Sequence, residues 1–355
     1  MVNHLIIETD AIVKFLVGLL NTPSPTGYHV EAVSYTREAF ENLNMPGVTI
    51  DVLPKGALVI TVKGESSDQP VGVTAHLDTL GLMVKEIKSN GRLKTTNIGG
   101  IVWPGVEFEG VTVHTHDETR YRGTVVPVNS SAHVNPKLRT QDRNAEMMEI
   151  RLDARTASAD ETRALGIEVG DFVFVDPRVE VTESGFIRGR HLDNKAGVAV
   201  IYGALMALRD ANLRPQQDTT VLITNYEEVG HGGAAGFPDN LVEMLAIDMG
   251  AVDEKQNSDE FSVSLCIKDS GGPYHFDMNN KLRALAAKHD IPLKPDIYPS
   301  YYSDGTVYWQ AGGVARVALI GPGIDASHSY ERTHKDSIEH TTHLIARWLR
   351  AEMQD

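Results

Sequence analysis

The sequence predicts an α/β protein interrupted by a β-rich insertion, and three observations carry that prediction. Strand-like runs of β-branched and apolar residues end on acids or imidazoles, as where Thr220-Val221-Leu222-Ile223-Thr224 leads to Glu227-Glu228. Helical periodicity alternates with such runs over 1–82 and again over 187–355. Between them, 83–186 holds short strands, frequent turns and little helical periodicity, so that it reads as a separate β-rich domain.

In chain order, the apolar run 12–20 reads as an amphipathic first helix, because Glu8 and Asp10 precede it and Lys14 interrupts it. Two prolines and a glycine make 21–27 a loop, and a second helix follows over about 29–43. Strands are expected at 48–53, 57–62 and 71–75, the third running into His76-Leu77-Asp78. Within 83–186, runs such as Val111-Thr112-Val113 and Phe172-Val173-Phe174-Val175 suit a small barrel or sandwich, with one helical stretch at 157–165. Its histidines, His114, His116 and His133, lack a carboxylate at ligand spacing and read as surface or core residues. The α/β pattern resumes with a helix over 194–213 and the strand ending near Glu227-Glu228, whose glycines at 230, 232, 233 and 236 allow a tight turn into a helix. A helix near 240–245, a short strand Ala246-Ile247-Asp248, a strand over 261–267 and a helix over 277–289 come next. A strand over 314–320, stopped by Gly321-Pro322-Gly323, and a final helix over 336–353 complete the chain.

Composition narrows the function. The 355 residues suggest about two domains, and 41% apolar with 23% charged content is that of a globular protein. A formal charge of −15 argues against nucleic acid, whose phosphates need a basic surface. Cys266 is the only cysteine, which excludes an intramolecular disulfide and thiolate metal clusters and points to a reducing compartment. No apolar stretch reaches the roughly 20 residues of a membrane span, so a cytoplasmic protein is expected.

The candidate chemistry sits at strand ends and helix starts, where open α/β sheets bind ligands. His76 and Asp78 are two apart on a strand and share a face, which places Asp78 to accept the second N–H of a metal-ligating His76. Asp193 precedes a helix, Asp248 ends a strand, and His334 comes just before the last helix. Glu227 and Glu228, as neighbours on a strand, face opposite ways, so that one can hold a metal while the other handles a proton. Three coordinating carboxylates against two divalent cations leave about one positive charge, suited to binding hydroxide. Imidazole with carboxylate favours Zn, Mn or Co.

The order His76-x-Asp78, Leu192-Asp193-Asn194-Lys195-x-Gly197, Glu227-Glu228-x-Gly230, Asp248 and His334 resembles the co-catalytic metallo-aminopeptidases of the glutamyl aminopeptidase family, some of which carry the name endoglucanase. Gly99-Gly100, Pro104-Gly105 and Gly166-Ile167-x-x-Gly170-Asp171 extend the likeness over nearly the whole chain. The resemblance implies that Asp193 bridges two divalent metals (Zn, Co or Mn), with His76 and Asp248 completing one site and Glu228 and His334 the other. Glu227 would be the general base, taking a proton from the water held by the metals and returning it to the leaving amine, and Asp78 the partner of His76. It further implies a phosphorylase/hydrolase-like three-layer catalytic domain, an inserted dimerisation domain, and dimers that build a homo-oligomer as large as a dodecamer.

Three departures bear on specificity: Thr79 replaces the family's Glu, Gly232 its Arg, and Lys335-Asp336 its Ser-Pro. Ser303-Asp304-Gly305 resembles a segment near the substrate, with Asp304 a candidate for holding the substrate amine. The expected activity is removal of N-terminal residues from peptides or small dipeptides. The nearest rival is a deacylase acting on N-acyl amino acids or a blocked osmolyte dipeptide. A glycosidase pair would need carboxyls roughly 5 to 10 Å apart across one bond, which adjacent residues facing opposite ways do not provide. A noncatalytic assembly protein would have no reason to keep every ligand.

Overall fold

The computed structural model describes residues 5–350. Its centre is a mixed thirteen-stranded sheet. Four parallel strands form the middle, in the order Gln217–Thr224, Ser66–His76, Glu243–Ile247 and Arg316–Asp325. Antiparallel strands extend it on both sides: Leu58–Val62 and Val48–Val52 beyond the first, and Val263–Asp269 against the last.

Alternation along the central strands sorts the core into two layers. Leu245, Ile247, Ala318 and Ile320 face helices Thr9–Leu20, Leu192–Asp210, Phe276–Lys288 and Lys335–Leu349. Met244, Ala246, Val317 and Leu319 face the other way, onto Tyr308 and Trp309 of the short helix Asp304–Gln310. The result is the three-layer α/β arrangement expected. Among the described residues no helix is long and apolar enough to cross a membrane.

The β-rich segment is a closed six-stranded barrel, in the order Gly81–Ile87, Leu93–Ile98, Met148–Leu152, Arg120–Pro127, Gly110–His114 and Phe172–Val175. Closure removes the free edges that a sandwich would leave. It has its own core of alternating apolar residues, among them Leu82, Val84, Val111, Val113, Val125, Ile150 and Val173.

Several local expectations fail for physical reasons. Residues 240–245 are not helical: Glu243–Ile247 is a central parallel strand, and a strand buried on both faces has the continuous apolar run of a buried helix. The strand expected to stop at Gly321 continues to Asp325, because these glycines allow close passage. A Cβ at Gly321 would lie 1.7 Å from the Asp248 carbonyl oxygen, and one at Gly323 1.9 Å from that of Asp259. Ser303-Asp304-Gly305 opens a helix, Asp304–Gln310, with the Ser303 hydroxyl accepting from Gly305 N–H at 3.1 Å. Glu227–Val229 forms a single 3-10 turn followed by irregular chain, with no helix after it. The last helix ends at Leu349, and the part of its expected span beyond 350 lies outside the described residues.

Candidate metal centre

The carboxyl ends of the parallel strands converge on one buried group of acids and imidazoles. His76 ends the strand Ser66–His76 and is 2% exposed. Its Nε2 lies 3.2 Å from Asp193 Oδ1, 3.6 Å from Glu227 Oε2 and 3.9 Å from Asp248 Oδ1. Asp193 sits in the non-helical first turn of Leu192–Asp210, and its other oxygen, Oδ2, is 3.5 Å from His328 Nε2. The same His328 nitrogen is 3.8 Å from Glu228 Oε2. Two ligand groups result, His76–Asp193–Asp248 and Asp193–Glu228–His328, each with donor atoms within 4.8 Å of one another and both using Asp193.

Of the residues expected here, the structure brings together His76, Asp193, Glu227, Glu228 and Asp248. It does not bring His334. That ring stands between Phe186 and Phe261, its Nε2 at 2.8 Å from the Ser184 carbonyl and its Nδ1 accepting from Asp336 N–H at 3.1 Å as a helix cap. The position expected of it belongs to His328. The preceding strand, Arg316–Asp325, runs on past Gly321. Read through Ile324-Asp325, the carboxyl end of that strand is followed within a few residues by His328, while His334 ends the antiparallel strand Glu331–His334, which leads away from the centre.

Both imidazoles are oriented by main-chain carbonyls. His76 Nδ1 is 2.9 Å from the Asp78 carbonyl and His328 Nδ1 is 3.0 Å from that of Gly100. A carbonyl only accepts, so each Nδ1 carries the hydrogen and each Nε2 faces the carboxylates. The Asp78 side chain has a different task from the one expected. Its Oδ1 is 3.7 Å from His76 Nδ1, and the fully buried carboxylate accepts instead from Glu227 N–H at 3.1 Å, Glu228 N–H at 3.3 Å and the Thr26 hydroxyl at 2.6 Å. Asp78 thus fixes the turn that presents both glutamates.

Two further residues escaped the sequence. Buried Glu331 accepts from Asp193 N–H at 3.2 Å and from His328 N–H at 3.1 Å, tying a member of each ligand group to one carboxyl. Gly100 belongs to the barrel segment and reaches the centre only through the fold. Asp304 is 3% exposed, takes the Thr224 hydroxyl on Oδ2 and has no hydrogen-bond partner for Oδ1 among the described residues. Gly232 packs so closely that a Cβ there would lie 2.5 Å from that oxygen, so the glycine at 232 makes room for the carboxyl.

Burial and mutual proximity dominate the electrostatics of these acids and imidazoles. Burial pushes Asp248 up to about 8 and Glu331 up to about 8. Glu227 and Glu228 are also raised well above the carboxylate range, chiefly by burial, with neighbouring carboxylates adding to it. Burial would depress the His76 imidazole, but Glu227, Asp193 and Asp248 outweigh it and raise it well above its ordinary value. The Asp193 hydrogen bond, reinforced by Glu228, lifts His328 to about 10. Glu228 Oε1 is buried with no hydrogen-bond partner among the described residues. A set of imidazole nitrogens and carboxylate oxygens with an unpaired buried oxygen fits divalent metal ions.

The comparisons with known proteins agree with this chemistry. The family model for M42 glutamyl aminopeptidase matches residues 56–344. The chain belongs to the M42 glutamyl aminopeptidase family. M42 proteins are metallopeptidases, so this chain is a hydrolase of the exopeptidase kind. A curated relative, YhfE of Bacillus subtilis (strain 168), provisionally named an aminopeptidase, is 43% identical over 98% of both chains. The solved aminopeptidase APDkam598 from the archaeon Desulfurococcus kamchatkensis is 21% identical, with a TM-score of 0.85 over 97% of this chain and 95% of its own. The TET1 peptidase of Pyrococcus horikoshii, described as assembling into a tetrahedron or a large octahedral shell, is 20% identical, with a TM-score of 0.80 over 95% of this chain and 99% of its own. At those identities the two structures speak for the fold of this M42 chain.

Proposed function

We propose that the protein is a dinuclear metal-dependent aminopeptidase that removes N-terminal residues from peptides or dipeptides. The observation that carries this reading is the pair of three-residue ligand groups joined through Asp193, with Glu227 beside them and in neither. His76 and Asp248 would hold one divalent ion, Glu228 and His328 the other, and Asp193 both. When bound, Zn, Co or Mn would supply Lewis acidity, polarising the scissile carbonyl and lowering the pKa of water.

The protein supplies the proton transfers. Glu227 is held by its own main-chain N–H on Asp78, which leaves its carboxylate free beside His76. Burial raises its proton affinity, which suits it to take a proton from the attacking water and pass it to the departing amine. Asp304 is buried and takes the hydroxyl of Thr224, the last residue of the strand before this turn, and its other oxygen is left for the substrate amine.

The closed barrel with its own core, from Gly81 to Val175, we assign to an inserted dimerisation domain in place of the expected 83–186, and the segments on either side of it, joined in the large sheet, to the catalytic domain. A homo-oligomer is supported by the tetrahedral or octahedral shell described for the TET1 peptidase, and we take dimers as its building unit. A cytoplasmic location is consistent with the single, buried, unpaired Cys266. The test is an assay of Zn-, Co- or Mn-loaded protein on aminoacyl-anilides and on N-acyl amino acids, with and without chelator. Chelator-sensitive cleavage of the anilides supports the reading, and cleavage of N-acyl amino acids alone overturns it in favour of a deacylase.

A further inference from the structure

The chain that leads into the helix Asp304–Gln310 is anchored on both sides of Tyr302. The Tyr301 carbonyl accepts from the Ser270 N–H at 2.9 Å and from its hydroxyl at 2.7 Å, and the Tyr301 hydroxyl donates to the Met249 carbonyl at 3.1 Å. On the other side, the buried Ser303 hydroxyl lies 2.8 Å from that of Tyr274 and accepts from Gly305 N–H, while Asp304 takes the Thr224 hydroxyl. Between these anchors the Tyr302 side chain is 42% exposed, and among the described residues its hydroxyl makes no hydrogen bond to the protein. Nearby tyrosines behave differently: Tyr274, Tyr298 and Tyr301 all spend their hydroxyls on protein partners.

Gly230 shows where the free hydroxyl stands. This glycine closes the turn Glu227–Val229 with φ +86°, a conformation that suits a residue without a Cβ. A Cβ there would lie 3.0 Å from the Tyr302 hydroxyl oxygen and 3.8 Å from the ring carbon that bears it, so the phenol leans over the end of the turn. Burial, and after it the charges of Glu227, Glu228 and Asp304, raise the pKa of Tyr302 above the ordinary phenol value, which sets the hydroxyl among those three carboxyls. It stands at the lip of the turn that carries both the base and a ligand.

The reacting amide offers such a group one acceptor. A phenol keeps its proton at neutral pH and donates it. The amide nitrogen carries its own hydrogen and accepts poorly, whereas the carbonyl oxygen accepts and gains negative charge as water adds to its carbon. A donor already held in place meets that charge without reorganisation.

We propose that Tyr302 is a catalytic residue, its hydroxyl donating a hydrogen bond to the oxygen of the scissile carbonyl and stabilising the charge on it in the tetrahedral intermediate. The phenol keeps its proton throughout, and Glu227 carries the one that is transferred. The proposal rests on the aminopeptidase reading and deepens it.

The test compares metal-loaded wild type with Tyr302→Phe, which keeps the ring over Gly230 and removes only the hydroxyl. Steady-state kinetics on the aminoacyl p-nitroanilide that wild type cleaves best give kcat and KM. Calorimetry gives the affinity for the aminoalkylphosphonate of the same side chain, whose tetrahedral phosphorus stands in for the attacked carbon, and for the parent amine without the phosphonate. Thermal melts should coincide, since no hydrogen bond within the protein is lost. In the variant kcat should fall by at least about tenfold and up to about 100-fold, with KM within about twofold. Phosphonate binding should weaken by at least about tenfold while binding of the parent amine stays the same. A smaller fall in kcat, a loss confined to KM, which would put the phenol on a residue beyond the scissile bond, or equal losses for phosphonate and amine would each overturn the proposal and leave the aminopeptidase reading standing. Wild type inactive on every anilide would instead remove that reading, and the proposal with it.

Discussion

Replacing Asp78 by asparagine separates two accounts of how the centre is held. The carboxylate accepts from Glu227 N–H on Oδ1 and from Glu228 N–H and Thr26 on Oδ2, while His76 is oriented by the main-chain carbonyl of the same residue. Asparagine keeps one oxygen and turns an amide NH2 towards N–H donors on the other side, so at least one charge-assisted bond is lost and a donor faces a donor. Such a bond contributes about 1.5–3 kcal/mol net. If that cost appears wholly as misplacement of Glu227 and Glu228, kcat falls by about 10- to 150-fold, since about 1.4 kcal/mol is tenfold. The carbonyl that orients His76 is untouched, so metal content should remain near wild type and KM should change little. Steady-state kinetics with metal analysis of the dialysed protein measures both. Loss of metal, with kcat restored by excess cation, would show that the side chain acts through His76 after all and would refute the role given to it here.

His328→Ala should lose about half the bound metal and most of the activity, whereas His334→Ala should keep both and lose at most about 0.5–2 kcal/mol of stability as a missing helix cap; metal analysis and thermal melts of the two variants check this. With Asp248 pushed up to about 8 and His328 to about 10, both carry protons at pH 7 in the metal-free protein, and both must lose them to ligate. Binding of Zn should therefore release protons at pH 7 and tighten as pH rises, and calorimetry in two buffers of different ionisation heat would contradict this if the observed heats were equal. Fully buried Lys195 donates to the carbonyls of Leu19 at 3.0 Å and Thr22 at 2.6 Å, locking the end of the first helix beside the turn that carries Asp193. Lys195→Met leaves those carbonyls without a donor but relieves the burial of an ammonium whose pKa is already depressed to about 7, so a net loss of about 2–4 kcal/mol in urea denaturation is expected; an unchanged midpoint would count against it.

What the sequence made legible was set by how locally each feature is encoded. The strand before Glu227 and Glu228, and the strands ending at His76 and Asp248, announce themselves by apolar runs that stop on a polar ligand, and those residues meet as expected. His328 was hidden because glycines and a proline inside a buried strand look like its end, and their real purpose, close passage beside Asp248 and Asp259, appears only when the neighbouring chain is in place. Strand alternation does not set the facing of Glu227 and Glu228, because the strand stops at Thr224 and a 3-10 turn held by Asp78 sets their directions. Glu331 and Gly100 act through main-chain contacts across long stretches of sequence, which no spacing encodes.

The most direct measurement is anomalous diffraction at the metal edge from crystals grown with Zn or Co. Two peaks are predicted, both within coordination distance of Asp193, one also reached by His76 and Asp248 and the other by Glu228 and His328. A peak beside His334, or none between His76 and His328, would contradict the account.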